Sequence, residues 1–337
     1  ANDYYHSNFY KHDDKENDMN KTLLALALVA FSATSFATTN GKQAVASEET
    51  KAANALVLQT DFGLKDGAVS AMQGVAFGVD RELKMFDLTH EIPAYNIWEA
   101  SYRLYQTATY WPAGTVFVSV VDPGVGTDRK SVVLKTKTGH YFVTPDNGTL
   151  TLVAEFLGIE SIREIDETKH RLEGSEKSYT FHGRDVYAYT GAKLASGQIS
   201  FEEVGAELPA KVTEISYQKP AIEEGTLKGN IPVLDMQYGN VWTNISHELL
   251  EQSGIQKDGK VCVEIKETTA DEVKVRYSGS MPYKSSFGDV EEGRPLMYLN
   301  SLLNVSFALN MDNFADKYKI KSGAEWSVSV KSCEKQQ

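Results

Sequence analysis

The chain reads as an α/β N-terminal domain followed by an all-β C-terminal domain, and three observations carry that reading. Apolar, β-branched runs alternate with helix-periodic segments up to about residue 217. From about residue 225, short strand-like runs follow one another with polar turns between them. The 337 residues, 42% of them apolar, are enough to bury two cores. Alternating strands and helices predict layers around a central, mostly parallel sheet, and the later run of short strands predicts a barrel-like unit.

The first strand covers residues 55–60 and ends at Asp61-Phe62-Gly63. A helical pattern over about 67–78 follows, then a short strand at 84–88 and a helix around 97–110. Residues 114–121 are β-branched and aromatic and predict a buried strand. Pro123, Gly124 and Gly126 break it, so Asp122 stands where the backbone turns. Strands at 132–136 and 141–143, a Pro145-Asp146-Asn147-Gly148 turn, a helix near 150–157 and helical residues around 185–195 complete a first domain over 54–217. Residues 218–225, with Pro220 and two glutamates, are the expected linker. The second domain, 226–337, has strand-like segments at 227–235, 260–266, 272–277, 296–300, 305–309 and 326–330.

A formal charge of −12 argues against nucleic-acid binding, which needs a basic face. Residues 19–37 carry Lys21, an apolar run at 23–31 and Ser35-Phe36-Ala37, the pattern of a secretory signal peptide. That run is too short to span a membrane. The expectation is therefore an exported protein, periplasmic or secreted. Residues 1–18, polar and acidic, are set aside as a leader foreign to the fold, and 38–53 read as a flexible linker. Export permits a disulfide, so Cys262 and Cys333 either pair or remain buried thiols. No CxxC, HExxH or histidine cluster suggests a metal site, and no glycine-rich phosphate loop suggests a dinucleotide or P-loop cofactor.

Three constellations hold candidate chemistry. Asp61 ends the first strand, where a carboxylate can accept both hydroxyls of a ribose; the alternative is an aspartate that only caps a turn. Asp122 and Arg129, with His182 in Phe181-His182-Gly183-Arg184-Asp185, can together hold a hydroxide-like nucleophile. Pairing with arginine stabilises a carboxylate as the anion and weakens it as a base, so aiming the nucleophile is the sharper role. The alternative is a structural ion pair with a histidine satisfied in a turn, and spacing alone leaves the two even. The run from Asp235 to Ile245 is dense in polar and aromatic groups. It offers Asp235 for an ammonium, Asn240 for a base edge, and Tyr238 or Trp242 for stacking, or else it is a packed inter-domain loop.

Taken together and in order, these pieces resemble the S-adenosyl-L-methionine hydroxide adenosyltransferase family, hydrolytic relatives of the fluorinase and chlorinase. The matching text is Thr60-Asp61-Phe62-Gly63, Asp87-Leu88-Thr89-His90, the run from Val121 to Arg129, Pro145-Asp146-Asn147-Gly148, Phe181-His182-Gly183-Arg184-Asp185, Gly239-Asn240-Val241-Trp242-Thr243-Asn244-Ile245 and Tyr298-Leu299-Asn300-Ser301. The resemblance implies water attack on the ribose C5′ of S-adenosylmethionine, giving adenosine and L-methionine, with no cofactor. It also implies a homotrimer whose sites lie between one subunit's N-terminal domain and its neighbour's C-terminal domain. Asp122, Arg129 and His182 fall on the family's water-activating triad, Asp61 on the ribose-diol carboxylate and Tyr95 on an aromatic beside the ribose. Asp235 and Ser301 match residues holding the methionine portion, and Asn240, Tyr238 and Phe287 match the adenine side. Gly183 and Asn310 complete the implied substrate contacts.

Where the fluorinase carries a tyrosine and a serine, this chain has Asp122 and Gly183, and a carboxylate beside the nucleophile repels halide. Two departures stand out: Leu302-Leu303-Asn304 replaces a small or glycine-containing turn after Ser301, and residues 308–311 are altered near adenine. Hydrolysis is the leading expectation. The competing readings are an exported nucleoside- or S-adenosylmethionine-binding protein without turnover, and a halide-dependent adenosyltransferase.

Overall fold

The computed structural model describes residues 54–333. The leader, signal peptide and flexible linker expected over 1–53 lie outside the described residues. The N-terminal half holds seven strands: β1 (Ala55–Thr60), β2 (Lys84–Thr89), β3 (Val116–Val120), β4 (Ser131–Thr136), β5 (Tyr141–Pro145), β6 (Ile159–Glu164) and β7 (Glu207–Leu208). Its helices are α1 (Ala68–Val79), α2 (Ile97–Ala108), α3 (Thr151–Leu157) and α4 (Tyr189–Ala195), the last preceded by a π-helical turn over Gly183–Ala188.

The strands form one sheet in the order β2-β1-β3-β5-β4-β6-β7. Leu56 and Leu58 pack with Met72, Ala76 and Ala192 on one face, while Val57 packs with Leu104 and Phe117 on the other. Successive side chains of a strand point to opposite faces, so a strand covered on both sides reads as a continuous apolar run. Helices α1 and α4 cover the first face, and α2 and α3 cover the second. At Gly191 a β-carbon would collide with Val118, which is how closely α4 lies on β3.

The sheet is mixed rather than mostly parallel. Pairings β1–β2, β1–β3 and β3–β5 are parallel, but β5–β4, β4–β6 and β6–β7 are antiparallel. The turn between β4 and β5 is too short for a crossover, and only antiparallel neighbours can be joined that way. The chain places β2 on one side of β1 and returns with β3 on the other. The carboxyl ends of β1 and β3 therefore flank a switch point, where open α/β sheets open a crevice.

The C-terminal half is built from antiparallel strands: β8 (Ala221–Glu223), β9 (Thr226–Ile231), β10 (Val233–Asp235), β11 (Asn240–Ser246), β12 (Lys260–Thr268), β13 (Val273–Pro282), β14 (Pro295–Leu299), β15 (Asn304–Leu309) and β16 (Gly323–Ser332). They make two sheets, β10-β11-β15-β14 and β13-β12-β16-β9-β8, over a core that includes Trp326, Phe307 and Phe314. Strand β8 occupies three positions of the expected linker as an edge strand on β9. Pro232 splits the expected 227–235 strand in two, as a residue without an N–H does. Cys262 and Cys333 form a disulfide with Cα atoms 5.2 Å apart, tying β12 to the end of β16. The halves meet where Trp98 packs at a tilt against Tyr217 and donates its indole N–H to the Pro232 carbonyl at 3.1 Å. Among the described residues no helix is long and apolar enough to cross a membrane.

Candidate active site

At the switch point the last residues of β1 and β3 lie side by side, Thr60 opposite Val120. Asp61 and Asp122 therefore leave the sheet at the same edge. Tyr95 donates its backbone N–H to Asp61 Oδ2 at 2.8 Å, from a left-handed conformation with φ of 66°. Its neighbour Asn96 caps α2 by accepting from Glu99 N. The start of α2 and the Asp61 carboxylate are thus fixed to one another.

Beyond Asp122 the chain turns sharply: Val125 N–H donates to the Asp122 carbonyl, and Gly126 takes a φ of 78° that favours glycine. The turn brings Arg129 back onto Asp122. Its Nε lies 3.0 and 3.1 Å from the two carboxylate oxygens, and Nη2 lies 2.6 Å from Oδ2. Both side chains are nearly buried, 11% exposed for Arg129 and 5% for Asp122. Arg129 Nη2 also approaches His182 Nδ1 at 2.9 Å, across 53 residues of sequence. Burial opposes the arginine's charge, but the Asp122 hydrogen bond and the nearby Tyr187 and Glu167 raise its pKa above the usual value. Burial lowers the pKa of His182.

These groups border a cavity of about 250 Å³ whose walls include Asp61, Phe62, Tyr95, Asp122, His182 and Gly183. Arg129 stands behind the wall rather than in it. Phe62 and Phe181 meet edge to face at 5.7 Å and supply an apolar side. Gly183 is hemmed in, since a β-carbon there would sit 3.2 Å from Phe62 and 3.3 Å from Val120. A concave, half-apolar chamber with a buried ion pair and two carboxylates can hold a nucleoside and aim a water molecule at it.

Residues 56–205 match the SAM hydroxide adenosyltransferase N-terminal domain, and residues 229–327 match the C-terminal domain of the same family. The chain belongs to the SAM hydroxide adenosyltransferase family. Over 197 residues it is 39% identical to an (R)-S-adenosyl-L-methionine hydrolase of Methanocaldococcus jannaschii, covering 57% of this chain and 67% of that one. An enzyme of the same name from Salinispora tropica is 31% identical over 80% of this chain and 96% of its own length. A fluorinase from Actinopolyspora mzabensis is 25% identical over 81% and 96%. Among solved structures, an uncharacterized conserved protein from Thermotoga maritima superposes with a TM-score of 0.71 at 33% identity, covering 82% of this chain and 99% of that one.

Of the residues that the family resemblance marks, Asp61, Tyr95, Asp122, Arg129, His182 and Gly183 come together around this one cavity. The C-terminal ones form their own groups away from its walls. Asn240 Nδ2 donates to Asp235 Oδ2 at 3.1 Å, Tyr238 is exposed on the β10–β11 turn, and Phe287 packs against Tyr298. Asn310 Nδ2 donates to the Val290 carbonyl, and Ser301 is exposed in the turn after β14. In that turn Asn300 Oδ1 accepts from the N–H groups of Leu302 and Asn304, and Leu303 takes a left-handed φ of 59°. Beside His182 stands a pair that sequence reasoning missed: Arg171 Nη2 lies 3.0 Å from His182 Nε2 and 2.7 Å from Glu167 Oε2. Both residues lie in an irregular segment without periodicity or motif, so the sequence carries no signal for them.

Proposed function

We propose that this protein hydrolyses S-adenosyl-L-methionine to adenosine and L-methionine. The observation that carries the reading is the Asp122–Arg129 pair, braced by His182, at a cavity wall that also holds Asp61. Asp61 accepts the ribose hydroxyls and Tyr95 lies beside the ring. Water hydrogen-bonds to the Asp122 carboxylate, which is kept anionic and rigid by Arg129. The oxygen attacks C5′ in line with the C5′–S bond, the sulfonium leaves as the neutral thioether of methionine, and one proton is released through Asp122 to solvent. A sulfonium needs no proton to leave, so orientation and electrostatics do the catalysis, and orientation alone can remove about 7–11 kcal/mol of barrier.

A cavity of about 250 Å³ is small for the whole substrate, since ligand sites of that class run from roughly 300 to 1,000 Å³. A homotrimer supplies the remainder, with Asp235, Tyr238, Asn240, Phe287, Ser301 and Asn310 of a neighbouring subunit closing the chamber over methionine and adenine. Exposed Tyr95 and Leu64 on one side, and Met236, Tyr238 and Met311 on the other, are apolar surface suited to such contacts. The two C-terminal sheets, bridged between Tyr283 and Met297, form the barrel-like unit that carries those loops. Export to the periplasm or medium accords with the signal-peptide pattern and with the Cys262–Cys333 disulfide, which persists in oxidising compartments.

The deciding experiment incubates residues 38–337 with S-adenosylmethionine in ¹⁸O-labelled water and follows products by mass spectrometry. Labelled adenosine plus methionine is the expected result. Binding without turnover overturns hydrolysis in favour of a binding protein, and 5′-halo-adenosine formed in high chloride overturns it in favour of halide transfer. Mixing Asp122→Asn and Asp235→Ala subunits tests the shared site: co-refolded trimers should recover up to about a quarter of wild-type activity, whereas a site within one subunit recovers none.

A further inference from the structure

His182 sits at the centre of a chain of charges that the triad only half describes. On one side, Nδ1 faces Arg129 Nη2, and Arg129 is held by Asp122. On the other, Nε2 faces Arg171 Nη2, and Arg171 is held by Glu167. The order is carboxylate, guanidinium, imidazole, guanidinium, carboxylate. Ser131 ties the two arms: its hydroxyl lies 3.3 Å from Arg129 Nη1, 3.5 Å from Glu167 Oε1 and 2.9 Å from the Tyr187 hydroxyl. Tyr179 and Tyr187 flank the imidazole edge-on, Arg171 lies over the Tyr179 ring at 4.6 Å, and Arg129 lies over Tyr187 at 5.8 Å.

Donor counting fixes what the imidazole is. A guanidinium only donates, and a neutral imidazole has one lone pair and one N–H. One arginine can therefore hydrogen-bond to the ring while the other meets its N–H. An imidazolium would present two donors to two donors between two positive charges. With both ring nitrogens facing arginines, His182 offers neither to a water in the cavity, so its work is done on Arg129.

We propose that Arg171, anchored by Glu167, is a positioning residue that keeps His182 a neutral imidazole and, through it, aims the Arg129–Asp122 pair at the attacking oxygen. Arg171 is absent from the cavity wall, its side chain is 6% exposed, and its Nη1 has no hydrogen-bond partner among the described residues. A buried guanidinium left partly unpaired is costly on stability grounds alone. The groups facing His182 act in opposed senses: burial lowers its pKa, Glu167 and Asp122 raise it, and Arg129 and Arg171 lower it. Removing Arg171 should therefore let the ring take a proton nearer neutrality, and removing the Glu167 charge should do the reverse.

The proposal rests on the hydrolase reading for its effect on rate, but its direct readout does not. The imidazole C–H signals of His182 are titrated by NMR in the wild type, Arg171→Gln, Arg171→Lys and Glu167→Gln. Alongside, kcat and KM for S-adenosylmethionine are measured from pH 5 to 9. We expect the Arg171→Gln ring to titrate about one pH unit higher, a tenfold change in protonation at fixed pH. The acid limb of kcat should move with it and KM should change little, Lys should restore most of the shift, and Glu167→Gln should move the titration downward. Unshifted titration, or both variants moving it the same way, overturns the proposal. So does a loss of kcat that is uniform in pH. If Arg171→Gln fails to fold, Glu167→Gln still decides: its titration should move downward, and an unshifted or upward titration overturns the proposal. Absence of hydrolysis in the wild type refutes the function while leaving the titration test intact.

Discussion

Replacing Asp122 with asparagine keeps the side chain's size and removes one charge from the pair that the proposed mechanism depends on. In the wild type the carboxylate accepts from Arg129 Nε at 3.0 and 3.1 Å and from Nη2 at 2.6 Å, with both partners nearly buried. Asparagine leaves one acceptor oxygen and turns an NH₂ toward a donor-only guanidinium. At least one charge-assisted bond, worth about 1.5–3 kcal/mol, is lost. Breaking a buried ion pair from one side costs about 3–5 kcal/mol, because the remaining charge stays uncompensated. The same loss acts on the attacking water, which no longer meets a fixed anion. Removing one preorganised electrostatic group typically lowers kcat about 10²–10³-fold, and we expect that range here. KM should stay within about threefold, since Asp61 and Tyr95 hold the nucleoside and are untouched. The assay is adenosine formation at saturating substrate, run beside a thermal melt. A variant whose melting point falls but whose kcat stays within about fivefold of wild type would show the pair to be structural, and the reasoning would fail.

Three further outcomes follow from the packing and the charges. Gly183→Ala pushes a methyl to 3.2–3.3 Å from Phe62 and Val120, so it should cost about 1–3 kcal/mol in denaturant unfolding, and Phe62→Leu in the same chain should recover part of that. Replacing both Cys262 and Cys333 with serine opens a loop with a sequence separation of 71 and should lower stability by about 2–5 kcal/mol, an effect that reductant reproduces in the wild type and not in the variant. Burial depresses the pKa of both His182 and His170 in the folded state below the ordinary 6.5. The folded state then binds fewer protons than the unfolded chain, so this stability is present above pH 6.5 and lost as pH falls through the folded values. Melting points should drop between about pH 7 and 5, and His170→Asn should flatten the slope.

The strands that were legible in the sequence are those whose burial is simple. Strands β1 and β3 are buried at nearly every position and mostly apolar because helices cover both faces, and their limits were read within two residues. Strand β11 was not read as a strand, its run being left between a ligand-contacting segment and a packed loop, because its polar groups are satisfied by distant partners that no local pattern shows. Thr243 donates to the Val305 carbonyl, and Asn244 donates to the Gln218 carbonyl. Strand β6, with its partly exposed Glu and Arg side chains, was missed, and with it went the antiparallel β4–β6 and β6–β7 pairings. At the site, the positions of Asp61 and Asp122 follow from strand ends that the sequence reveals. The meeting of Arg129 with His182 follows from topology, so residue spacing left it undecided and only the ordered motifs pointed to it. Glu167 and Arg171 were invisible for the same reason without any motif to compensate.

The arrangement also bears on why water, rather than an anion, is the nucleophile that suits this cavity. Asp61 and Asp122 both border it, while the two guanidiniums stand behind the wall, one on each side of His182. A cationic sulfonium entering the cavity meets the carboxylates first, which favours its binding. An incoming halide meets the same charges and is opposed, and Gly183 leaves no hydroxyl to coordinate it. Water needs an acceptor to orient it and a rigid frame to keep that acceptor aimed. The Asp122–Arg129 pair supplies the first, and the imidazole wedged between two arginines supplies the second. Specificity for hydrolysis and catalysis of it thus come from one set of fixed charges, and a change that loosens the frame should slow turnover without inviting halide in.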